Sequence, residues 1–231
     1  MYTLAFDTSS LAGGVALLQD GDLLAEIELP TEQRSAQSLA PAIDRILRNQ
    51  QLAPRDIRLV ALTIGPGSFT GLRVGATCAK LFCYAVQADL IALDTLDVIA
   101  AQTPLQLRTT GGEIHAVLDA QRRELFVARY AALPAQPNEP QRLGETSILS
   151  ADEWLTGLPP RSVVTGSGLK KFHVQLPPSV VAVDAALWAP RAAMIGRMAV
   201  QQHARGQRDD IWKLTPTYIR PSYADEKRPA R

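Results

Sequence analysis

The chain has 231 residues, of which 46% are hydrophobic and 20% are charged, and its formal net charge is +1. A chain of this length can bury roughly 70% to 75% of its unfolded surface, which is enough for one large domain or two small lobes. The near-zero net charge excludes a global electrostatic field that would draw the protein to nucleic acid or to an anionic membrane.

The sequence predicts a cytoplasmic protein. The N-terminal stretch MYTLAFDTSS begins directly with a strand pattern and has no basic region or cleavage site, so we expect no signal peptide. No apolar run approaches the roughly 20 residues needed to span a bilayer, so no membrane association is expected. The only cysteines are Cys78 and Cys83. On one helix they would lie roughly 7.5 Å apart along the axis, beyond disulfide reach, and unpaired thiols are typical of a reducing compartment.

The first part of the chain alternates between strand and helix patterns. LAF and GGVALLQDGDLLAEIEL predict three strands with tight reversals at GG and DGD. A helix over Ser35–Gln51 follows, because apolar residues recur there at i, i+4, i+7 and i+8. Pro41 must lie in its first turn or kink it. IRLVALTIG and DLIALDT predict two further strands, separated by a helix over 72–88, and LDVIAAQ predicts a short helix. This order is typical of an α/β lobe.

The second part repeats the theme. EIHAVLDAQRRELFVARY predicts a hairpin, LPAQPNEPQRLGE a loop, SVVTGSGLKKF a strand with a glycine turn, and APRAAMIGRMAVQQHARG a helix. Because LAFDTSS and AVLDAQR both end an apolar strand with an acid, we interpret the chain as two related lobes. The predicted units are an N-terminal lobe over 1–103, a C-terminal lobe over 112–210, and a C-terminal strap over 211–231 that packs back on the surface.

The stretch LTIGPGSFTGLRVG, residues 62–75, places four glycines between an apolar strand and a helix. A Walker A loop needs G-x-x-x-x-G-K-[ST], and no Lys-Ser or Lys-Thr follows here. A dinucleotide fingerprint needs G-x-G-x-x-G, whereas Gly65, Gly67 and Gly71 are spaced G-x-G-x-x-x-G. Neither phosphate-binding template fits, although helix N-termini bind anions in general.

The helix that follows this turn is apolar nearly all round. Its polar residues form one narrow stripe, whereas a helix between a sheet and water is polar over roughly half its surface. Gly71, Gly75 and Ala79 would let another helix approach closely. Either the chain's own sheet and the 35–51 helix cover this helix, or the two helices form a surface for a second protein. We expect the second, with the glycines packed across a subunit boundary. The predicted partner-binding residues are Leu39, Ile43, Ile46, Leu47, Gly71, Leu72, Gly75, Ala76, Ala79, Phe82 and Cys83.

On that interpretation, replacing Gly75 by Arg would abolish partner binding while leaving the fold cooperative.

Five segments, in this order and spread over the whole chain, resemble the TsaB family: FDTSS, GPGSFTGLRVG, LDAQRRELFVARY, VVTGSGL and PTYIRPSYADE. The segment over 65–75 is the most specific of them. The resemblance implies an α/β fold of the actin-like ATPase/sugar-kinase (ribonuclease-H-like) type, with two lobes that each have a mixed sheet flanked by helices. The family is also filed as peptidase M22 or glycoprotease-like.

The resemblance further implies a role in tRNA processing. The chain would be a non-catalytic scaffold subunit of the complex that makes threonylcarbamoyladenosine at position 37 of tRNA (t6A37). Its partners would be a TsaD-like catalytic subunit, bound as a heterodimer through helices that match 35–51 and 68–88 here, and a TsaE-like ATPase. tRNA would be bound only through the complex. Alone, the exposed helices should make the chain a homodimer.

Residues for metal or hydrolytic chemistry are not spaced as that chemistry requires. The only histidines are His115, His173 and His203, without the i, i+4 pair that the resemblance implies for the metal site of TsaD-like proteins. The two cysteines do not form a CxxC motif, and there is no HExxH motif. No histidine is placed by sequence to activate a serine. We therefore predict no catalytic residue, no intrinsic metal and no protease activity.

Asp7 and Asp119 each end an apolar strand ahead of a turn, where actin-like kinases place the carboxylates that orient magnesium and water around a triphosphate. ATP or ADP with magnesium could therefore be bound weakly in the inter-lobe cleft or at the partner boundary. The candidate residues for such a site are Asp7, Thr8, Ser9, Asp119, Gly166 and Gly168. The interpretation we favour is that each aspartate caps its own turn. The alternative function is a stand-alone ATP-dependent kinase or acyltransferase. ATP binding that is lost in Asp7→Ala would favour this alternative.

Overall fold

The computed structural model describes residues 1–33, 35–108, 112–131 and 141–220 of the protein. The N-terminal part forms one mixed sheet with helices against it. Its strands are β1 (Tyr2–Asp7), β2 (Gly14–Gln19), β3 (Asp22–Glu28), β4 (Ile57–Thr63) and β5 (Asp89–Leu93). Its helices are α1 (Ser35–Asn49), α2 (Phe69–Val86), α3 (Thr95–Ala101) and α4 (Leu105–Arg108).

The first sheet has the strand order β3-β2-β1-β4-β5. β1, β2 and β3 pair antiparallel through the two predicted reversals, whereas β4 and β5 run parallel to β1. A parallel pair needs a crossover connection, and α2 supplies the one between β4 and β5. Helices cover both faces of the sheet, so nearly every residue of β1 is buried.

The C-terminal part contains a second mixed sheet. Its strands are β6 (Ile114–Gln121), β7 (Glu124–Ala131), β8 (Gln141–Arg142), β9 (Ser147–Ser150), β10 (Val163–Thr165) and β11 (Val181–Ala182). Its helices in chain order are α5 (Ala151–Thr156) and α6 (Ala192–Ala204). Short 3-10 turns lie at Pro54–Asp56, Ser167–Lys171, His173–Gln175 and Ala185–Leu187.

The strand orders of the two sheets repeat each other. The second order is β11-β10-β6-β7-β8, with β9 also paired to β7. In each sheet the first strand has antiparallel strands on one side and parallel strands on the other. This repeat is the ribonuclease-H-like arrangement, so the predicted actin-like ATPase fold with two related lobes is confirmed.

Helix α6 belongs to the N-terminal lobe by its packing, although it follows the second sheet in the chain. It lies in the range 112–210 that was predicted to form the C-terminal lobe, yet it packs on the first sheet, where Ile195 and Met198 join the core around Leu18 and Leu59. Helix α3 is shared between the two lobes, since Val98 packs in the core of the first sheet and Leu96 in the core of the second. Sequence periodicity shows that a helix has an apolar face and does not show which sheet that face covers.

The segment after α6 returns along the edge of β5. The backbone N–H of Asp209 donates to Leu90 O at 2.8 Å, and the Asp209 carboxylate accepts the N–H of Ala92 at 2.8 Å. Leu214 is buried in the core of the first lobe. The predicted strap over 211–231 is therefore described as far as residue 220, while 221–231 and most of the predicted loop, 132–140, lie outside the described residues.

The turn after β1 rests directly on the first two turns of α2. The Thr8 hydroxyl donates to Gly71 O at 2.8 Å, and the N–H of Ser68 donates to Ser9 O at 2.7 Å. A Cβ atom added at Gly71 would overlap the carbonyl oxygen of Thr8, and one added at Gly75 would overlap the Thr8 hydroxyl. The glycines therefore serve close packing within one chain, and the prediction that they pack across a subunit boundary is wrong. For the same reason Gly75→Arg would disturb the fold itself.

A polar cluster ties α3 to the second sheet. The Tyr130 hydroxyl donates to Asp97 Oδ1 at 2.7 Å, and the Arg142 guanidinium donates to the same oxygen at 3.0 Å. Arg142 also lies 3.2 Å from the Asp94 carboxylate. Burial, with the charge of Asp94, raises the pKa of the Asp97 carboxyl, while Tyr130 and Arg142 oppose that shift. The cluster therefore holds a half-buried carboxylate with two donors at the joint between the lobes.

Removal of the Tyr130 hydroxyl tests this cluster. Tyr130→Phe should lower the free energy of unfolding by about 1 to 3 kcal/mol at pH 7, because the half-buried Asp97 carboxylate loses the donor that the buried Tyr130 supplies. Since the folded pKa of Asp97 is raised above 3.8, its carboxyl is increasingly protonated as the pH falls, and a neutral carboxyl needs the donor less. The loss should therefore shrink at pH 4. Urea unfolding at both pH values measures it, with Tyr84→Phe at an exposed ring as control. An equal loss at both pH values would contradict the assignment.

The glycine contacts give a second test by urea unfolding. Gly71→Ala should cost about 2 kcal/mol or more, because the added methyl group meets a backbone oxygen that cannot turn away. Gly75→Ala meets only a side-chain hydroxyl, so a second change, Thr8→Ala, should recover part of its loss and none of the loss in Gly71→Ala. Thr77→Ala on the exposed side of α2 is the control and should stay within about 0.5 kcal/mol. Wild-type stability of Gly71→Ala would contradict this packing.

Candidate functional site

The predicted partner-binding residues are buried inside the chain, with the exception of Phe82, which is half-buried. The α1 members lie in one core with α2 and the first sheet. That core takes Leu39, Ile43, Ile46 and Leu47 from α1, and Ala76, Ala79 and Cys83 from α2. Leu72, Gly71 and Gly75 are buried as well. These side chains cannot form an exposed contact surface, so that residue set is corrected: for them, the chain's own sheet and α1 provide the cover.

A different stripe of α2 remains accessible. Its members are spaced i, i+4, i+7 and i+11, and we call them the outer face of α2: Val74, Cys78, Leu81 and Ala85. Val74 and Cys78 also pack against the core of the first lobe. Val74 and Cys78 are half-buried, Ala85 is exposed, and Leu81 is 65% exposed. In the sequence, the four-residue spacing of Val74 and Cys78 could have indicated this face. Gly71, Gly75 and Ala79 on the buried side have the same spacing, so spacing alone does not distinguish the two sides.

Two aromatic side chains extend this face. Tyr84, which is 58% exposed, meets Trp212 edge-on with ring centroids 5.6 Å apart. Trp212 is itself 73% exposed. It comes from the segment that follows α6, so an apolar strip continues from α2 onto that segment. The C-terminal half of α1, by contrast, exposes polar side chains, with Arg48 donating to Asp44 at 2.8 Å.

A cleft of about 1170 Å³ lies between the lobes. On the N-terminal side it is lined by the turn after β1 and by the start of α2, including Phe69 and Arg73. On the C-terminal side the hairpin between β6 and β7 lines it, including Asp119. Residues 217–220 form a further wall.

Asp7 lies behind the cleft. Its side chain is fully buried, and Oδ1 accepts the Thr63 hydroxyl and, at 3.1 Å, the N–H of Ser9. Oδ2 is buried and finds no hydrogen-bond partner among the described residues. Burial raises the pKa of this carboxyl above its ordinary value. The carboxyl therefore does not reach into the cleft.

Asp119 faces the cleft but both of its oxygens are engaged. Oδ1 accepts the N–H of Gln121 at 2.9 Å, and Oδ2 lies 2.5 Å from the Lys171 ammonium. Asp7 and Asp119 thus each accept the backbone N–H two residues on, which is the turn-capping arrangement that the favoured interpretation predicts.

The remaining nucleotide candidates also have structural partners. Thr8 bonds to α2, and Ser9 is buried under Gly67, where an added Cβ would lie 2.5 Å from Ser9 O. Gly166 has φ +111° and lies so close to Val117 that a Cβ atom would overlap its backbone, and one at Gly168 would lie 2.9 Å from a Leu125 methyl. Magnesium on a nucleotide needs carboxylate oxygens that face the ligand. The residues present do not fit a magnesium nucleotide.

The histidines lie apart from one another. His115 is buried in β6, where burial lowers its pKa to about 4, and His203 Nε2 lies 2.7 Å from the Asp89 carboxylate. His173 Nδ1 is 3.3 Å from Leu169 O. Within residues 1–33, 35–108, 112–131 and 141–220, no group of three or more potential metal ligands comes together. The helices of that part of the chain are all too short or too polar to cross a membrane.

Comparison with known proteins places the chain in a family. The family model "TsaD: tRNA N6-adenosine threonylcarbamoyltransferase" matches residues 26–156, more than half of the chain. The tRNA threonylcarbamoyladenosine biosynthesis protein TsaB of Bacillus subtilis is 27% identical over 98% of this chain and 97% of its own length. The TsaB protein of Escherichia coli is 27% identical over 100% of both chains.

A solved structure agrees with these matches. YeaZ from Pseudomonas aeruginosa superposes with a TM-score of 0.78 at 25% identity, covering 94% of this chain and 99% of that one. Sequence and structure thus correspond along nearly the whole length of the chain. The chain therefore belongs to the TsaD-related protein family and, within it, to the TsaB proteins.

Proposed function

We propose that the chain is a non-catalytic scaffold subunit of a cytoplasmic complex that makes t6A37 in tRNA. The names of the full-length relatives in Bacillus subtilis and Escherichia coli assign those proteins to threonylcarbamoyladenosine biosynthesis. The observation that carries the scaffold role is the exposed apolar strip of Leu81, Tyr84 and Trp212, in a chain whose candidate active-site carboxylates are buried or paired.

The proposed partner is a TsaD-like catalytic subunit that docks on the outer face of α2. Contiguous apolar surface on a monomer is typical of protein–protein contact sites. Leu81 lies between the half-buried pair Val74 and Cys78 and the exposed aromatics Tyr84 and Trp212, so it occupies the middle of the apolar strip. Residues near the centre of an interface usually contribute most of the binding free energy.

The other members of the complex follow from the same proposal. A TsaE-like ATPase would join the pair, and tRNA would be bound only through the assembled complex, since a net charge of +1 offers little attraction to RNA. The ATP or ADP of the complex would be held by groups of the other subunits, because Asp7 and Asp119 are engaged within this chain.

Leu81→Arg tests the partner surface. The variant should bind the TsaD-like subunit of the same organism at least about 30-fold more weakly, because it puts a charge in the centre of an apolar contact. Its fold should persist, since Leu81 is 65% exposed. Titration calorimetry with the purified partner measures the affinity, and thermal unfolding checks the fold. Leu105→Arg, at a leucine on α4 that is 47% exposed, is the matched control and should bind as the wild type does. Wild-type affinity of a folded Leu81→Arg protein would overturn this surface.

The same face should make the isolated chain a homodimer. Without its partner the apolar strip is left in water, and a two-fold contact through the same residues would cover it in both copies. Light scattering should give a mass that rises toward twice 25.0 kDa with concentration in the wild type, and Leu81→Arg should stay monomeric. Addition of the TsaD-like subunit should dissociate the homodimer, because both contacts use the same face. A wild type that is strictly monomeric at high concentration would contradict the prediction.

A further inference from the structure

Residues 217–220, here called the bridge segment, hold the N-terminal wall of the inter-lobe cleft. The N–H of Thr217 donates to Ile64 O at 2.7 Å. The Tyr218 ring packs on Phe69 with centroids 4.7 Å apart, and its hydroxyl accepts Arg73 Nε at 3.0 Å. Arg73 also lies 3.8 Å over the Phe69 ring, so three side chains form one stack at the start of α2.

The bridge segment also holds the C-terminal wall. The Arg220 guanidinium donates to Ala120 O at 2.6 Å and forms an ion pair with the Glu124 carboxylate. Its side chain is only 20% exposed, so water screens these contacts less than it would at an open surface. Ala120 and Glu124 flank the turn of the hairpin between β6 and β7.

The turn between β6 and β7 has an unfavourable backbone conformation. Gln121, Arg122 and Arg123 have φ values of +67°, +53° and +60° in succession. Left-handed backbone at a residue other than glycine is unfavourable and persists only where neighbouring contacts enforce it. Arg220 binds both flanks of this turn, so it is one of those contacts.

We infer that the bridge segment is a latch that fixes the width of the inter-lobe cleft. Tyr218 is fastened to α2 and Arg220 to the hairpin, with one residue between them, so the walls cannot separate without breaking one attachment. In a fold whose lobes can close around a ligand, this chain makes the contact between the walls with its own backbone and side chains. The engaged carboxylates Asp7 and Asp119, which do not fit a magnesium nucleotide, agree with a cleft that is held by the chain itself.

The experiment is hydrogen exchange on the full chain, read in two peptides, one over 66–73 and one over 118–126. Arg220→Gln removes the contacts with Ala120 and Glu124 on the C-terminal wall, and Tyr218→Leu removes the stack with Phe69 and Arg73 on the N-terminal wall. Each should speed exchange about tenfold in both peptides, because release of either end frees both walls. Arg208→Gln is the matched control. Arg208 pairs with Asp89 at 2.7 Å in the same C-terminal region without crossing the cleft, so both peptides should exchange as in the wild type.

Two results would overturn the latch. One is a change confined to the peptide that the mutated residue touches, since that is local fraying of one wall. The other is an equal change in Arg208→Gln, since that is a general loss of stability. Glu124→Gln gives an independent check: it leaves the Arg220 guanidinium in place, removes its ionic partner, and should reproduce the Arg220→Gln pattern in both peptides at a smaller amplitude.

Discussion

The contact between Thr8 and the glycines of α2 determines which side of this helix is exposed. Thr8 lies against Gly71 and Gly75 so closely that neither position admits a side chain, and its hydroxyl is bonded to Gly71 O. The helix is thereby fixed in rotation about its own axis: the glycine side faces the turn after β1, and the sheet takes the adjacent side. The remaining side of α2 carries the polar stripe with Arg73 and Thr77 and, next to it, the exposed Leu81, and this side is left for water or for another protein.

The same contact changes the chemistry of the cleft. The turn after β1 carries the nucleotide candidates Thr8 and Ser9, and both are bonded to the first turns of α2. Asp7 is drawn behind it and bonded to Thr63 and to its own turn, while Lys171 neutralises Asp119 on the other wall. Packing and charge pairing thus act at two separate places on the carboxylates that the sequence offers as candidates for a nucleotide site.

Sequence alone predicts the order of strands and helices along the first lobe well and the exposed surface poorly, and the reason is physical. Hydrophobic periodicity and turn residues specify local elements, so the two α/β lobes and the narrow polar stripe of α2 could be read directly. Glycine at four-residue spacing indicates close approach but is the same whether the neighbour is Thr8 of the same chain or a helix of another. The predicted partner residues failed for that reason, since they were chosen for being apolar, and most apolar residues of α1 and α2 are core.

Contacts between residues far apart in the chain are a second feature that the sequence does not predict. Arg73 meets Tyr218 across 145 positions, and Arg220 meets Ala120 across 100, with no pattern in the sequence to pair them. Helix α6 likewise has an apolar face that suits either sheet, and only the small side chains of Ala5, Ala16 and Ala61 on the first sheet show where it fits. Such pairings depend on the whole arrangement of the lobes, which no single segment encodes.

Helix α2 is the element on which the partner surface and the bridge segment meet. Arg73 joins the stack with Tyr218, and the next residue, Val74, begins the outer face. A protein seated on that face contacts a helix whose first turns are already in close contact with Thr8 and have no room to shift within the N-terminal lobe. Close-packed interiors pass displacement on rather than absorb it. The outer face and the bridge segment, although separate in sequence, therefore contact the same closely packed helix.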